Sequence, residues 1–301
     1  MRSIRLALGD IKLAHTVFAL PFAILAAVLV RPRVGESGMT DVVRFAGQLG
    51  LVVVCMFFAR TWAMLVNRLA DAGFDSENPR TAKRVFAAGG LSKRVGWVIA
   101  SGCAGAFWLA AGGFWLFFGN VWPALLAPVA LVWIALYAYM KRLTALCHVF
   151  LGSALAISPL CAAVAVSPAQ TVEMIVPLCL LAGFVMCWVA GFDIPYALAD
   201  VEVDRRLGLR SVPAALGVGA ALLVSRALHF VGACAMLGFV LVAPGLGTLS
   251  VVGAGAVAAL LVYEHTILAR RGVAGLPVAF FLINGVISVV FGLVASLDSM
   301  L

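Results

Sequence analysis

Apolar residues dominate this chain in continuous runs of about twenty, separated by short breaks that are polar or rich in proline and glycine. A continuous run of that length predicts a transmembrane helix, whereas a membrane β-barrel would alternate apolar and polar residues. Nine candidate spans can be drawn, at roughly 13–30, 43–66, 95–118, 121–140, 147–166, 172–195, 214–243, 247–269 and 276–297. We therefore expect an all-α polytopic membrane protein, in which nine transmembrane helices surround a central cavity open to the cytoplasmic side. We also expect residues 1–301 to form a single domain.

The first apolar run follows three cations, Arg2, Arg5 and Lys12, and so has the outline of a signal peptide. The run is longer than the apolar region of a signal peptide, and no small-residue cleavage site follows it clearly. We interpret it as a retained first span.

The most polar stretch covers residues 67–84, NRLADAGFDSENPRTAKR. Asn67, Asp71 and Asp75 are spaced four residues apart, so a helix would place them on one face. Two carboxylates and an amide form a cluster of hard oxygen ligands that Mg²⁺ accepts. Three cations follow that could hold the rest of an anionic ligand: Arg80, Lys83 and Arg84. A solvated loop that only sets the membrane topology is the alternative; it explains the cations but not the register of the acids.

A second copy of this arrangement occupies residues 193–213, DIPYALADVEVDRRLGLRSVP. Asp200 and Asp204 are again four residues apart, and Asp71 precedes Asp200 by 129 residues, as Asp75 precedes Asp204. Cations again come directly behind: Arg205, Arg206 and Arg210. The repetition predicts two halves that face one metal site, with ligands Asn67, Asp71, Asp75, Asp200 and Asp204.

Composition excludes a soluble globular domain and a disordered chain, because 64% of the 301 residues are hydrophobic and only 11% are charged. The seven cysteines lie in apolar stretches without a CxxC pair, which is typical of small buried residues rather than disulfides or metal ligands. His148, His229 and His265 have no ligand-like spacing, and we expect structural roles for them. Arg226 lies inside a span, and we assign it no role.

The net charge of +8 is explained by membrane topology rather than by nucleic acid. If the amino terminus is cytoplasmic, sixteen of the 21 lysines and arginines fall on the cytoplasmic side, as the positive-inside rule expects. Both acid motifs then face the cytoplasm, where Mg²⁺ and phosphorylated metabolites are available. We expect an integral protein of the cell's inner (plasma) membrane that binds no nucleic acid.

The two polar stretches are similar to the two signatures of the UbiA superfamily of intramembrane prenyltransferases. The first is NRxxDxxxD followed by RTxxR, and its matching residues are Asn67, Arg68, Asp71, Asp75, Asn78, Arg80, Thr81 and Arg84. The second matches at Asp193, Tyr196, Asp200, Asp204, Gly208, Arg210 and Ser211. KLAHTVFALPFA at residues 12–23 and YAYMKRLT at 137–144 resemble the 4-hydroxybenzoate polyprenyltransferase-like branch. The HTxFALPFA style is shared with menaquinone-pathway relatives, and the RPxG-type opening of many ubiquinone enzymes is absent.

The resemblance implies an enzyme that transfers a polyprenyl group from a polyprenyl diphosphate to a hydroxylated aromatic acid, with Mg²⁺, in respiratory quinone biosynthesis. Two Mg²⁺ ions, one per acid motif, would neutralise charge on the diphosphate as the allylic C–O bond breaks. The expected diphosphate ligands are Asn67, Arg80, Arg84, Lys141, Arg142 and Arg210. Lys141 and Arg142 are also explained as a plain positive-inside pair.

The residues that would carry the chemistry are Asp71, Asp75, Asp193, Tyr196, Asp200 and Asp204. Asp193 and Tyr196 share the helical stripe of Asp200, and Pro195 should bend or break that helix. The ring of Tyr196 could stabilise an allylic cation, and Asp193 could orient the phenol or accept the ring proton.

The aromatic acid would be bound by His15, Arg60 and Asp193. Arg60 lies inside a span, so it needs an anionic partner: the acid's carboxylate, the diphosphate or a motif aspartate. His15 is equally explained as an interfacial histidine. The expected acceptor is 4-hydroxybenzoate, with a dihydroxynaphthoate as the alternative. A membrane transporter is the alternative from another class, although transporters place coupling charges near the bilayer midplane.

Overall fold

The computed structural model describes residues 2–9, 18–31 and 39–301. These residues are almost entirely helical and include no strand, which confirms the predicted all-α fold. The α-helices, in chain order, are α1 Arg2–Gly9, α2 Leu20–Leu29, α3 Met39–Glu77, α4 Lys93–Phe118, α5 Trp122–Leu143, α6 Cys147–Val166, α7 Pro168–Glu173, α8 Ile175–Tyr196, α9 Val201–Arg206, α10 Val212–Leu216, α11 Val218–Val242, α12 Thr248–Arg271 and α13 Asn284–Asp298. A 3₁₀ turn at Ala197–Asp200 joins α8 to α9, and a π-helix at Pro277–Ile283 leads into α13.

Within the described residues, eight helical segments are long and apolar enough to cross a membrane. They are Asp41–Glu77, Lys93–Phe118, Trp122–Leu143, Cys147–Val166, Ile175–Arg206, Val218–Val242, Thr248–Gly275 and Pro277–Asp298. The first predicted span is represented by α2, whose ten described residues are too few to cross alone. The predicted set of nine spans thus agrees with eight long helices and one shorter one.

Helix α3 differs from the predicted span in its length. Its 39 residues would extend about 58 Å, well beyond a hydrocarbon core of about 30 Å. The first acid motif is therefore helical, on a continuation of the span rather than in a loop. Asn67, Asp71 and Asp75 lie on successive turns of it, as their spacing predicts.

Helix α8 lies at the centre of the bundle, packed mainly on α6 and α11. Its side chains are the most buried of any span, and Trp188 is fully buried, with its Nε1 donating to Asn284 Oδ1 at 2.6 Å. Gly152 of α6 lies directly against the backbone of Met186, where any Cβ would overlap the Met186 carbonyl. The absence of a side chain at this crossing lets α6 and α8 approach closely, as small residues do between membrane helices.

Pro195 marks a change of helix type. The α-helical hydrogen bonding of α8 ends at Tyr196, the next residue, and the chain tightens into the 3₁₀ turn before α9. This agrees with the predicted break. The turn carries Asp200 and the short helix carries Asp204, so both acids are fixed at one end of the bundle.

Candidate active site

Both acid motifs line one cavity of about 280 Å³ at the same end of the bundle. Of the residues proposed from the sequence, it is lined by Arg60, Asn67, Asp71, Asp75, Arg80, Arg84, Lys141, Asp193, Tyr196, Asp200 and Asp204. The two motifs, 129 residues apart in the chain, therefore face each other in the fold, as the repeat predicts.

Each of the four motif carboxylates forms an ion pair with a different cation. The pairs are Asp71 with Arg142, Asp75 with Arg84, Asp200 with Arg80, and Asp204 with Lys141. Three of the N–O distances are 2.7 Å. All four cations were proposed from the sequence as diphosphate ligands. In the structure they instead neutralise the carboxylates of the site.

Hydrogen bonds tie the two motifs together. Asn78 Nδ2 donates to Asp200 Oδ1 at 2.8 Å, and Arg80 Nε donates to the same oxygen at 2.9 Å. Arg206 Nη2 donates to the Glu77 carbonyl at 2.8 Å. The segment behind the first motif is thus attached to the second motif at several points.

Arg80 also contacts Tyr196. Its Nη1 donates to the Tyr196 hydroxyl at 3.0 Å, and its guanidinium carbon lies 5.2 Å from the centre of the ring. Partial burial disfavours the charged form of Arg80, but its hydrogen bonds and ion pair with Asp200 outweigh burial and raise its pKa above the ordinary value. The other side of the tyrosine stacks on Phe280 of the π-helix, with ring centres 4.3 Å apart. The ring is therefore held in one orientation at the cavity.

Asp71 and Asp204 receive further hydrogen bonds. Asn67 Nδ2 donates to Asp71 Oδ2 at 3.1 Å, and Ser211 Oγ donates to Asp204 Oδ2 at 2.7 Å. Ser211 is also the N-cap of α10, so the segment after the second motif positions the Asp204 carboxylate.

The donor atoms of the site fit a divalent cation in their chemistry. Four carboxylates and the Asn67 amide are hard oxygen ligands, as Mg²⁺ prefers. In the described part of the chain, however, no three Asp, Glu, His or Cys side chains are arranged to hold a metal ion. Binding of a metal would require the carboxylates to exchange their present cations for it.

Asp193 is paired with His148, for which we expected only a structural role. His148 Nδ1 and Asp193 Oδ2 are 2.7 Å apart, and His148 Nε2 accepts a hydrogen bond from the Val212 amide at 3.3 Å. Because Nε2 accepts, we place the ring proton on Nδ1, where it is donated to Asp193. Both side chains line the cavity. No spacing in the sequence indicated this contact, since His148 and Asp193 lie on different helices.

Arg60 lies where the polar cavity meets an apolar one. It lines the polar cavity and also a second cavity of about 110 Å³ between α3, α5 and α6. Its Nε is buried and has no hydrogen-bond partner among the described residues. Tyr137 lines both cavities as well, and its hydroxyl donates to the Ala63 carbonyl at 3.3 Å. Arg60 is therefore a partly buried cation whose Nε still has a hydrogen bond to donate.

The remaining residues proposed from the sequence do not line the cavity or are not among the residues that the structure describes. Arg210 does not line it, and its Nη1 donates to the Leu143 carbonyl at 2.8 Å. Arg142 reaches Asp71 from behind the cavity wall, with Phe74 and Tyr139 against its guanidinium. His15 lies outside the described residues.

The fold and the site together define an integral membrane protein with a polar cavity, lined by carboxylates and cations, at one end of a helical bundle. A model of the UbiA prenyltransferase family matches residues 17–286. The chain therefore belongs to the UbiA prenyltransferase family, and it is a prenyltransferase.

Relatives and solved structures agree with this assignment. A 4-hydroxybenzoate octaprenyltransferase of Cronobacter sakazakii (strain ATCC BAA-894) is 31% identical over 73% of this chain and 74% of its own. One from Yersinia pseudotuberculosis serotype IB (strain PB1/+) is 31% identical over a shorter match, 56% of each chain. The apo structure of a UbiA homolog from Aeropyrum pernix K1 superposes with a TM-score of 0.82 at 29% identity, covering 97% of this chain and 100% of that one. A UbiA homolog from Archaeoglobus fulgidus, bound to DMAPP and Mg²⁺, has a TM-score of 0.71 at 18% identity with full coverage of both chains.

Proposed function

We propose that this protein transfers a polyprenyl group from a polyprenyl diphosphate to a ring carbon of 4-hydroxybenzoate, ortho to the hydroxyl, in respiratory quinone biosynthesis. One observation carries the proposal: four carboxylates from both halves of the chain line one cavity, each is paired with a cation, and the partly buried Arg60 lies at the apolar end of the cavity. The 4-hydroxybenzoate octaprenyltransferases among the relatives support the choice of acceptor.

The ion pairs suggest how a charged lipid head enters this site. Asn67, Asp71, Asp75, Asp200 and Asp204 would hold Mg²⁺, which supplies charge neutralisation to the departing diphosphate. The cations released from the carboxylates then bind the diphosphate oxygens, with Arg80, Arg84 and Lys141 lining the cavity directly. Binding of Mg²⁺ and diphosphate would then replace the ion pairs within the site by new ion pairs with the ligands, so that charged side chains are not left buried without a partner.

The acceptor would lie toward the apolar end of the cavity. Arg60, partly buried between the polar and the apolar cavity, has an Nε donor without a partner that can bind the acid's carboxylate. A rigid ring anchored there extends toward Asp193, whose other oxygen can accept the phenol proton as a hydrogen bond. His148 holds Asp193 in position by donating from Nδ1.

In the reaction the allylic C–O bond breaks, a C–C bond forms to the ring, and the ring carbon loses its proton. When Arg80 leaves Asp200 for the diphosphate, it uncovers the Tyr196 ring, whose face can then meet the allylic cation while Phe280 stays stacked on the ring. Asp193 accepts the ring proton. Apolar side chains that line the same cavity, Met64, Leu151 and Phe280, exclude water that would otherwise capture the cation.

The distribution of cations also indicates how the protein is oriented in the membrane. The excess of cations at the site end of the bundle favours a cytoplasmic orientation in the inner membrane. The prenyl tail stays in the bilayer while its head reaches the cavity.

An assay in membranes that contain the full chain tests the proposal. We expect a Mg²⁺-dependent prenylated product from 4-hydroxybenzoate and a polyprenyl diphosphate, and its loss when EDTA is added. A dihydroxynaphthoate, which also carries a carboxylate and a phenolic hydroxyl on an aromatic ring, is the matched second acceptor. Product from the naphthoate alone would replace the acceptor, and no product from any aromatic acid would overturn the proposed reaction.

A further inference from the structure

A second groove lies between α11 and α12, with a volume of about 650 Å³. None of the residues that line it also lines the catalytic cavity. It opens on the surface of the bundle, where a membrane protein meets lipid. Its residues are not used by the proposed reaction.

The residues that line this groove are charged at one end and apolar at the other. On α11 its wall is formed by residues 226, 229, 230 and 233, and on α12 by 258, 261, 262, 265, 266, 269 and 270. This spacing defines one stripe on each helix. Arg226 and Arg270 mark one end, whereas Ala233 and Ala258, two or more turns away, mark the other. The small side chains there leave room between the helices.

The polar end lies on the same side of the membrane as the catalytic site. Helix α11 begins at Val218, shortly after the second acid motif, and α12 returns to that side and ends at Arg271. Side chains lean toward the N-terminus of their own helix. The Arg226 side chain therefore leans toward the membrane surface at the catalytic end, and the Arg270 side chain leans inward from that surface, toward Arg226.

Neither arginine is neutralised by protein. Arg226 and Arg270 are exposed, and within the described residues no ion pair or hydrogen bond joins either to an acid. No acidic residue lines the groove. Glu264, the acid closest to Arg270 along the chain, is buried, and its Oε2 accepts from Asn284 Nδ2 at 3.2 Å instead. Two cations at a lipid-facing surface, with no acid of the described residues beside them, favour an anion from outside the chain.

A histidine pair adds a polar group to the wall. His229 Nε2 lies 3.2 Å from the Trp188 carbonyl, and His229 Nδ1 lies 3.0 Å from His265 Nε2. The carbonyl can only accept, so Nε2 of His229 donates and its Nδ1 accepts from His265 Nε2. Nδ1 of His265 therefore carries no proton in this arrangement. Because both rings are neutral in this arrangement, the charge of the groove comes from the arginines.

We propose that this groove binds one anionic glycerophospholipid of the leaflet at the catalytic end of the protein. Arg226 and Arg270 bind the phosphate, and an acyl chain follows the apolar wall past Phe230 and Val262 toward Ala233 and Ala258. An anionic lipid is favoured over a zwitterionic one because the groove has two cations and no carboxylate to receive a choline ammonium. The charge at one end and the apolar channel behind it match the two parts of such a lipid.

Native mass spectrometry of the full-length protein in detergent tests this proposal, with dioleoyl phosphatidylglycerol and dioleoyl phosphatidylcholine as probes. We expect the wild type to retain one phosphatidylglycerol more tightly than phosphatidylcholine. Arg226→Gln and Arg270→Gln should each weaken phosphatidylglycerol binding about fivefold. Arg94→Gln, which removes an exposed cation from the start of α4, is the matched control and should leave the binding unchanged.

Thermal unfolding of each variant without added lipid separates lost binding from lost folding. The proposal predicts unchanged unfolding temperatures and the loss, in Arg226→Gln and Arg270→Gln, of stabilisation by phosphatidylglycerol. Equal binding of the two lipids, or equal loss in Arg94→Gln, would overturn it. So would inorganic phosphate that displaces the lipid at comparable concentration, or a second copy of the chain that occupies the groove in place of lipid.

Discussion

At the residue scale, the defining feature is that every motif carboxylate has its own cation. Such pairs are stable only because both members are present, since removing one partner leaves a partly buried charge uncompensated. The paired charges keep the lining of the cavity polar. The pairing also means that substitution of a carboxylate releases a cation, so single variants change the charge balance of the whole cavity.

Substitution of Arg60 tests whether this residue binds the carboxylate of the aromatic acceptor. Arg60→Gln should raise the KM for 4-hydroxybenzoate roughly 10- to 100-fold, the usual worth of hydrogen bonds to a charged group. The KM for the polyprenyl diphosphate should change little, because Arg60 is proposed to contact the acid only. Arg44→Gln, on the same helix at the other end, is the control. If the KM for the diphosphate rose instead, Arg60 would belong to the lipid head.

Substitutions of Asp193 and His148 test which residue accepts the ring proton. Asp193→Asn should lower kcat about 100-fold or more, as removal of a general base does. His148→Gln keeps a donor toward Asp193 and should lower kcat less, while His148→Phe should approach the effect of Asp193→Asn. Glu202→Gln removes an exposed acid near the second motif and should be neutral. Steady-state kinetics with saturating acceptor measures this, and equal kcat in Asp193→Asn and wild type would remove Asp193 from the chemistry.

At the element scale, the apolar runs predicted the spans, but local pattern could not give every boundary. The apolar run put the end of the second span at position 66, yet the helix continues to Glu77, whose carbonyl accepts a hydrogen bond from Arg206 of the second motif. Pro195 correctly indicated the break in α8, since its missing amide is a local property. The π-helix at Pro277–Ile283, which places Phe280 against Tyr196, depends on packing and left no signal in the sequence.

Gly152 tests the close crossing of α6 and α8. Gly152→Ala should destabilise the protein by about 1–3 kcal/mol, because a Cβ there overlaps the Met186 carbonyl and forces the helices apart. Gly102→Ala, where a Cβ meets open space on α4, should leave stability equal or slightly higher, since alanine favours helix. Thermal unfolding in one detergent compares them. Two equally stable variants would show that the crossing tolerates a side chain.

At the scale of the whole molecule, repetition and charge bias placed both motifs at one end, and the structure brings them to one cavity. Helical spacing was enough for residues of one helix, such as Asn67 and Asp71. It could not give contacts between helices: the pairing of Lys141 with Asp204, or of His148 with Asp193, depends on long side chains and on how tightly helices cross. The groove between α11 and α12 was missed for the same reason.

If the two motifs bind one diphosphate, as we propose, their carboxylates are energetically coupled, and a double-mutant cycle measures that coupling. The measurement is Mg²⁺-dependent binding of a non-reactive prenyl thiodiphosphate to wild type, Asp71→Asn, Asp200→Asn and the double variant. We expect each single change to weaken binding strongly and the double change to cost less than the sum of the two, with a coupling of about 0.5–3 kcal/mol. Fully additive losses, or binding unaffected by either change, would mean that the two motifs serve separate sites.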